Sequence, residues 1–504
     1  MSHYAAVSTP DVHGTNTEPA PVEKTSVDDY LRSRVTMLKP PGTKLANPFS
    51  LLRTLNRYQW ANFLVAFAAW TWDAFDFFTV SMTLEDLAES FGKTKTDITW
   101  GISITLMLRA VGSITFGIAA DRYGRKWPFI LNNVLFIILE IATGFCNTFE
   151  QFMGVRALFG IAMGGVWGNC VAMALEDAPK EARGILSGIL QQGYSMGYLL
   201  AVVFSRALVN TTSHGWRPLF WFGGCPPLLI ILARLRLPET KVFQERQRLR
   251  DATSNPTGTF IAEGKIVLQR NWLLLGYLVL FMTGMNFMSH GSEDLYPTML
   301  KENYQFNSDQ VTVTMVVAKT GAIIGGSLVG YYSQAFGRRL SIIVVVVVAG
   351  CLIYPYSFTS TTLVMLPAFF MQFCVQGAWG VIPIHLMELS PPKYSTFVSG
   401  TAYQLGNLIS STAATIESSL ADHYPLPPAA NGKARHDYAK VMSILMAIIY
   451  SYIFVLTFLG PEKRGQEFDA AHDENNSEET RAALQLENLE KHSIDEEKQK
   501  NLHE

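Results

Sequence analysis

The chain carries one ten-residue stretch twice, first as Gly117-Ile-Ala-Ala-Asp121-Arg122-Tyr123-Gly124-Arg125-Lys126 and again as Gly330-Tyr-Tyr-Ser-Gln334-Ala-Phe-Gly337-Arg338-Arg339. The copies start at residues 117 and 330, a separation of 213 residues. Glu176-Asp-Ala-Pro179 also returns, as Glu388-Leu-Ser-Pro391, 212 residues later. A segment of about 200 residues is therefore duplicated, and each copy has its basic turn between long apolar runs.

Apolar runs dominate the rest of the sequence. The 504 residues are 49% apolar and only 16% charged, which is unusual for a soluble protein. About 20 apolar residues cross a bilayer as a helix, and twelve runs reach that length. They lie near 59–82, 98–120, 127–146, 152–173, 184–206, 217–236, 272–290, 311–332, 340–357, 362–387, 396–416 and 440–460. We predict an all-α membrane protein with twelve transmembrane helices in two pseudo-symmetric six-helix halves.

The charged segments outside these runs predict the domain organisation and the orientation. We expect a disordered cytosolic tail over 1–55, a six-helix half over 56–237, a cytosolic linker over 238–270, a second half over 271–460 and an acidic cytosolic tail over 461–504. The basic loops after spans two, six and eight share one side, and the positive-inside rule makes that side and both termini cytoplasmic.

Both connecting segments have expected partners. The charges between Lys241 and Arg250 predict a linker helix on the anionic surface of the lipid bilayer. The C-terminal tail is either a site for ubiquitin-ligase adaptors or a solubilising segment.

The repeated basic turn is similar to the signature loop of the major facilitator superfamily. Gly124 and Gly337 permit a tight turn between antiparallel helices. Asp121 is expected to bind a basic group or a helix N-terminus of the other half and so latch one conformation. The second copy has Gln334 instead, which predicts a charged latch in the first copy alone. The predicted gating residues are Asp121, Arg122, Gly124, Arg125, Gly337 and Arg338.

A second polar stretch lies at the end of span seven, Asn286-Phe-Met-Ser289-His290-Gly-Ser292-Glu293-Asp294-Leu-Tyr-Pro-Thr298. Polar groups at this depth are costly unless they are used. Helical spacing places Asn286, His290, Glu293 and Asp294 on one face. The amide and the imidazole suit an anion, and the carboxylates suit a proton.

This stretch resembles the signature of the fungal lactate-permease-type carboxylate:proton symporters, which runs Asn-x-x-Ser/Thr-His-x-Ser/Thr-Gln-Asp-x-x-x-Thr. The chain departs from it at Glu293, where the family usually has Gln. Segments around Trp379-Gly380 and Tyr403–Asn407 are similar to the tenth and eleventh spans of those permeases. The resemblance implies proton-coupled uptake of lactate, pyruvate, succinate or malate at the plasma membrane by alternating access.

Two of the cations inside predicted spans are candidate binding groups. Arg109 in span two can clamp a carboxylate through two parallel hydrogen bonds, or form an ion pair with Asp73 or Asp76. Lys319 lies in span eight, one helical turn from the repeat equivalent of Arg109. It would suit a second substrate carboxylate, or else it snorkels or pairs with an acid.

Acidic residues inside spans are candidates for proton coupling. Asp73 and Asp76 share a face of span one, and two carboxylates that repel each other in a low dielectric favour binding a proton. The alternative is that they are fixed partners of Arg109. The predicted proton-coupling set is Asp73, Asp76, Glu140, Glu293 and Asp294.

Glutamines in spans five and eleven complete the predicted site, because a neutral amide costs less to bury than a charge. The pair Gln191-Gln192 favours dicarboxylates as substrates. The predicted binding set is Arg109, Gln191, Gln192, Asn286, Ser289, His290, Lys319 and Gln404.

We therefore expect a symporter for a small carboxylate and a proton, with a non-transporting carboxylate receptor as the alternative. The sequence offers no nucleophile–base pair, phosphate loop or metal-ligand spacing, which argues against an enzyme. We expect no cofactor, no metal and no nucleic-acid partner.

Overall fold

A computed structural model describes residues 27–40, 45–251, 256–428, 435–466 and 468. Within them, ten helical segments are long and apolar enough to cross a membrane. The other two predicted spans, 184–206 and 396–416, are each broken into two shorter helices at Gln192 and at Ser411-Thr412. With these two broken spans the chain forms the twelve-helix fold that the sequence predicts.

The first half consists of ten helices, because several spans are interrupted by glycine or proline. They are α3 (Arg57–Met82), α4 (Leu84–Phe91), α5 (Lys95–Tyr123), α6 (Lys126–Phe145), α7 (Phe149–Gly164), α8 (Val166–Leu175), α9 (Arg183–Gln191), α10 (Gly193–Leu208), α11 (Arg217–Gly223) and α12 (Pro226–Leu235).

The second half repeats this plan and adds a small hairpin before its last helix. Its elements are α15 (Trp272–Glu293), α16 (Tyr296–Glu302), α17 (Ser308–Phe336), α18 (Arg338–Phe358), α19 (Met365–Leu389), α20 (Ser395–Ser410), α21 (Ala413–Ala421), β1 (Pro425–Leu426), β2 (Arg435–His436) and α22 (Tyr438–Leu459). The strands pair antiparallel, with Pro425 opposite His436. Short 3₁₀ turns at Lys180–Ala182, Thr362–Val364 and Pro392–Tyr394 precede α9, α19 and α20.

The duplication is visible in α5 and α17, which are both 29 residues long. Both begin with a capping box, in which the N-cap side chain and the N3 side chain bind each other's backbone N–H groups. Both end at a glycine with positive φ, 100° at Gly124 and 96° at Gly337. Side chains with a Cβ rarely adopt this conformation, so the predicted role of these glycines in the turn is confirmed.

The prediction of a disordered N-terminal tail is wrong for part of 1–55. Helices α1 (Val27–Thr36) and α2 (Pro48–Arg53) form within it. Contacts with the body of the protein hold α1, since the Tyr30 hydroxyl donates to the Leu459 carbonyl at 2.9 Å and Arg34 donates to the Gly460 carbonyl at 3.1 Å. Composition could not reveal these contacts. The expected ubiquitin-ligase adaptor sites lie outside the described residues.

The linker contains α13 (Lys241–Asp251) and α14 (Pro256–Arg270), in agreement with a predicted helix. Its expected contact with lipid headgroups is wrong for Arg246, which is 7% exposed and binds Glu176 at 2.8 Å. Arg246 also donates to the carbonyl of Phe468, a buried residue of the C-terminal segment. The linker therefore packs against the first half and the C-terminal segment.

Glycines bring the two halves into backbone contact on the side of the basic turns. A Cβ on Gly188 of α9 would lie 2.6 Å from the Gly326 carbonyl oxygen and 3.2 Å from the Gly330 Cα, both in α17. A Cβ on Gly117 of α5 would lie 2.8 Å from the Phe397 Cα in α20. The helices cross too closely here for any larger residue, so the two halves are closed against each other on this side.

We expect Gly188→Val to separate the halves on this side. Overpacking at such a contact costs about 1–3 kcal/mol, so the open population should rise about fivefold or more. A cysteine introduced at Thr396, which is 2% exposed at the same interface, should then react correspondingly faster with a maleimide in a background without the five native cysteines.

Gly350→Val is the matched control, because a Cβ at Gly350 has nothing within 4 Å. It should leave the labelling rate unchanged. Equal labelling rates in the two variants would show that the glycine contact does not hold the halves together.

Candidate functional site

A central cavity lies between the two halves, and residues from both halves form its wall. They are Phe77, Leu106, Arg109, Gln191, Tyr194, Asn286, Ser289, His290, Glu293, Asp294, Gln376, Trp379, Tyr403 and Asn407. Seven of these were predicted as site residues, namely Arg109, Gln191, Asn286, Ser289, His290, Glu293 and Asp294. The structure thus brings the polar stretch of α15 and the cation of α5 to one place.

The polar face of α15 is held in a fixed arrangement. His290 Nδ1 lies 2.9 Å from Asp294 Oδ2, and His290 Nε2 lies 3.1 Å from Asn407 Oδ1 on α20. The Asn286 amide donates to the Met282 carbonyl at 2.8 Å. The predicted shared face is confirmed, and the imidazole is oriented between a carboxylate and an amide that both face the cavity.

Arg109 has an acidic partner on α3. Its Nη2 lies 2.9 Å from Asp73 Oδ2, and both side chains are buried. The second oxygen of Asp73 and the Nε of Arg109 have no hydrogen-bond partner among the described residues. Arg109 therefore forms the predicted ion pair with Asp73. It also lines the cavity, as a group that clamps a substrate carboxylate must.

Behind this pair lies a second buried cluster, formed by Asp76, Glu140 and Arg156. All three have no solvent exposure, and Arg156 Nη1 lies 3.3 Å from Glu140 Oε2. Neither oxygen of Asp76 has a hydrogen-bond partner in the described part of the chain. This buried cluster holds two carboxylates and one guanidinium, so a proton on one of the carboxylates would balance the charge.

Three predicted binding residues do not line the cavity, contrary to expectation. Lys319 Nζ lies 2.5 Å from Glu293 Oε2, which is the predicted alternative of pairing with an acid. The Gln192 amide donates to the Gly188 carbonyl at 3.3 Å. Gln404 is fully buried and accepts a hydrogen bond from Asn407 at 3.5 Å. The apolar runs showed that these side chains are buried but not which way they face.

Aromatic residues form much of the cavity wall, although none of them is in the predicted site. Tyr403 is central to them, stacking on Trp167 with ring centroids 4.6 Å apart and meeting Trp379 edge-on at 5.7 Å. Trp167 Nε1 donates to Gln191 Oε1 at 3.3 Å. Aromatic residues in spans normally indicate packing, so only their position around polar residues reveals this role.

The Asp121 latch has the geometry that the sequence predicts. Asp121 Oδ2 accepts from the Phe397 N–H at 2.8 Å, and Oδ1 accepts from the Thr396 N–H at 3.3 Å. N–H groups in the first turn of a helix have no partner within the helix, and a negative charge is favoured there. Asp121 therefore binds the N-terminus of α20. The counterpart, Gln334, donates to the Lys180 carbonyl at 3.1 Å. The charged contact therefore belongs to the first copy and a neutral one to the second.

Ion pairs surround both basic turns. Arg125 and Arg246 bind Glu176 at 3.1 and 2.8 Å, and Arg338 binds Glu388 at 3.0 Å. Burial favours the neutral acid at Glu176, but the two guanidinium groups outweigh it and hold the pKa of Glu176 below its usual value. The sequence showed Glu176 and Glu388 as repeat mates without indicating these partners. Each half thus fixes its own turn with an equivalent arginine–glutamate pair.

The fold and the central cavity are those of a multi-pass membrane transporter of the major facilitator type. The chain belongs to the family described as sugar (and other) transporters, whose model matches residues 51–473. A solved structure of the proton:xylose symporter XylE superimposes with a TM-score of 0.63 at 18% identity, covering 82% of this chain and 98% of that one.

Two curated relatives carry names that refer to acids. The carboxylic acid transporter protein homolog of Saccharomyces cerevisiae is 40% identical over 83% of this chain and 70% of its own length. The cis,cis-muconate transport protein of Acinetobacter baylyi is 28% identical over 69% of this chain and 84% of its own length.

We expect Lys319→Met to destabilise the protein by about 3 kcal/mol, because it leaves the Glu293 carboxylate without its partner. The double variant Lys319→Met/Glu293→Gln should lose at most about 1 kcal/mol, because both charges are gone. Thermal unfolding of the purified protein in detergent measures both. Glu89→Gln, an exposed acid on α4, is the control. A double variant as unstable as Lys319→Met would mean that the ion pair is not the source of the effect.

Proposed function

We propose that the protein transports short-chain carboxylates together with a proton across the plasma membrane by alternating access. The observation that carries this proposal is that Arg109 of one half and His290 of the other line a single cavity, each next to a carboxylate. The names of the yeast and Acinetobacter relatives support a carboxylate as the substrate.

Binding would rest on groups that match an organic acid. The planar guanidinium of Arg109 can donate two parallel hydrogen bonds to a carboxylate. Asn286, Ser289 and Gln191 offer neutral hydrogen bonds, and the rings of the cavity wall offer apolar contact for the carbon chain. His290 lies on the opposite half, where a second carboxylate of a substrate such as succinate or malate would meet it. This arrangement favours dicarboxylates.

Proton coupling would follow from competition for Arg109. A substrate carboxylate that binds the guanidinium displaces Asp73 from Arg109, its one ion-pair partner in the described part of the chain. An unpaired carboxylate in a low dielectric binds a proton more strongly, so Asp73 takes up a proton as the substrate arrives. Asp76 and Glu140 lie behind it and provide further carboxyl groups for that proton.

The bonds from Asp121 to α20 would then break as the halves open on the side of the basic turns, which we take to be cytoplasmic. Substrate and proton leave together into the higher cytosolic pH. A monocarboxylate and one proton carry no net charge, so the proton gradient alone drives their entry. A dicarboxylate dianion with one proton enters against the inside-negative potential, at about 2.3 kcal/mol per elementary charge per 100 mV.

Flux into proteoliposomes tests this function. We expect labelled succinate or lactate to accumulate when the outside is acidic, and accumulation to collapse when a protonophore is added. Binding without accumulation would indicate the alternative, a carboxylate receptor. Accumulation that depends neither on the pH gradient nor on the protonophore would contradict proton coupling.

We expect Arg109→Lys to reduce uptake about 100-fold. A lysine ammonium group cannot donate two parallel hydrogen bonds to the substrate carboxylate, and it lies at a different distance from it. Initial uptake rates over a range of substrate concentrations, corrected for protein amount, measure the effect. Arg206→Lys, an exposed arginine at the end of α10, is the matched control. Unchanged affinity and rate in Arg109→Lys would remove Arg109 from the binding site.

A further inference from the structure

Glu417 is a buried acid that the predicted site does not include. It lies in α21, one residue beyond the predicted span 396–416, and its side chain has no solvent exposure. Neither carboxyl oxygen has a hydrogen-bond partner among the described residues. An ionised carboxylate without a partner is strongly disfavoured in a buried position, so the presence of Glu417 there indicates a function.

The surroundings of Glu417 connect it to the cavity wall. Its Oε1 lies 3.7 Å from the position of a Cβ on Gly291, which is the neighbour of His290 in α15. Leu445 and Ile449 of α22 close the same spot with apolar atoms. The titratable groups that act on Glu417 are Asp294 and His290 at the end of α15, and Glu417 in turn acts on Tyr438 of α22.

The charges around the polar stretch of α15 balance only when Glu417 takes up a proton. Lys319 is paired with Glu293 and His290 with Asp294, which leaves Glu417 as a further carboxyl group with no hydrogen-bond partner among the described residues. When Glu417 is ionised, it favours a positively charged His290. When Glu417 is protonated, that support is lost and the imidazole keeps Asp294 as its ion-pair partner.

We propose that Glu417 binds and releases a proton during the transport cycle and thereby sets the charge with which His290 meets the substrate. This inference rests on the proposed function and adds a proton-binding group in the second half to the carboxylates of the first. Glu417 is a positioning residue, because it acts through His290 and does not line the cavity.

The variant Glu417→Gln separates this role from packing, because it fixes the side chain in a neutral state of nearly the same shape. We expect counterflow of labelled succinate at equal pH on both sides to stay within about twofold, since exchange needs no net proton movement. Proton-driven accumulation should fall about tenfold, and its dependence on external pH should flatten. Asp422→Asn is the control, since Asp422 is an exposed acid at the end of the same helix with 73% side-chain exposure. It should leave both measurements unchanged.

Other outcomes overturn the inference. Normal accumulation with an unchanged pH profile in Glu417→Gln would mean that Glu417 is permanently protonated. Loss of counterflow and accumulation together would mean that it serves packing alone. If Glu417→Gln does not fold, Glu417→Asp keeps the carboxyl group but moves it by one methylene, and an unshifted pH profile there would contradict the proposal. A wild-type protein whose uptake ignores pH would instead refute the proposed function itself.

Discussion

Charged side chains inside an apolar helical bundle need partners within the protein, and this constraint determines the arrangement of the whole centre. Arg109 pairs with Asp73, Arg156 with Glu140 and Lys319 with Glu293, all largely removed from solvent. A buried ion pair contributes little net stability, but the loss of one partner is costly. Each pair can therefore open only if another charge or a proton replaces the missing partner. That requirement is what can couple an anion to a proton.

The two duplicated halves share the arrangement of their helices and turns but differ in their charged residues. The turns after α5 and α17 share their glycines and their arginine–glutamate pairs. In contrast, the latch is an aspartate in one half and a glutamine in the other. The buried cations of α5 and α17 each bind an acid, but the cation of α5 lines the cavity and that of α17 does not. Structural roles thus follow the pseudo-symmetry, whereas the chemistry of the cavity does not.

The sequence predicts the fold well because the signals are local and repeated. Twelve apolar runs and two identical glycine positions determine the helices and their turns, and the helical spacing of Asn286, His290 and Asp294 predicts a shared face. Periodicity cannot predict which way a polar side chain faces when its span has apolar residues on all sides. Gln191 lines the cavity, whereas its neighbour Gln192 packs against Gly326 of α17, and no periodicity distinguishes them. The helix at Val27–Thr36 depends on contacts with residues more than 400 positions away.

A structure determined with a bound dicarboxylate would show whether the substrate replaces an internal partner of Arg109. We expect the Arg109 guanidinium within about 3 Å of a substrate carboxylate, with Asp73 no longer in hydrogen-bond contact. An intact Arg109–Asp73 pair with the substrate bound elsewhere in the cavity would contradict this expectation.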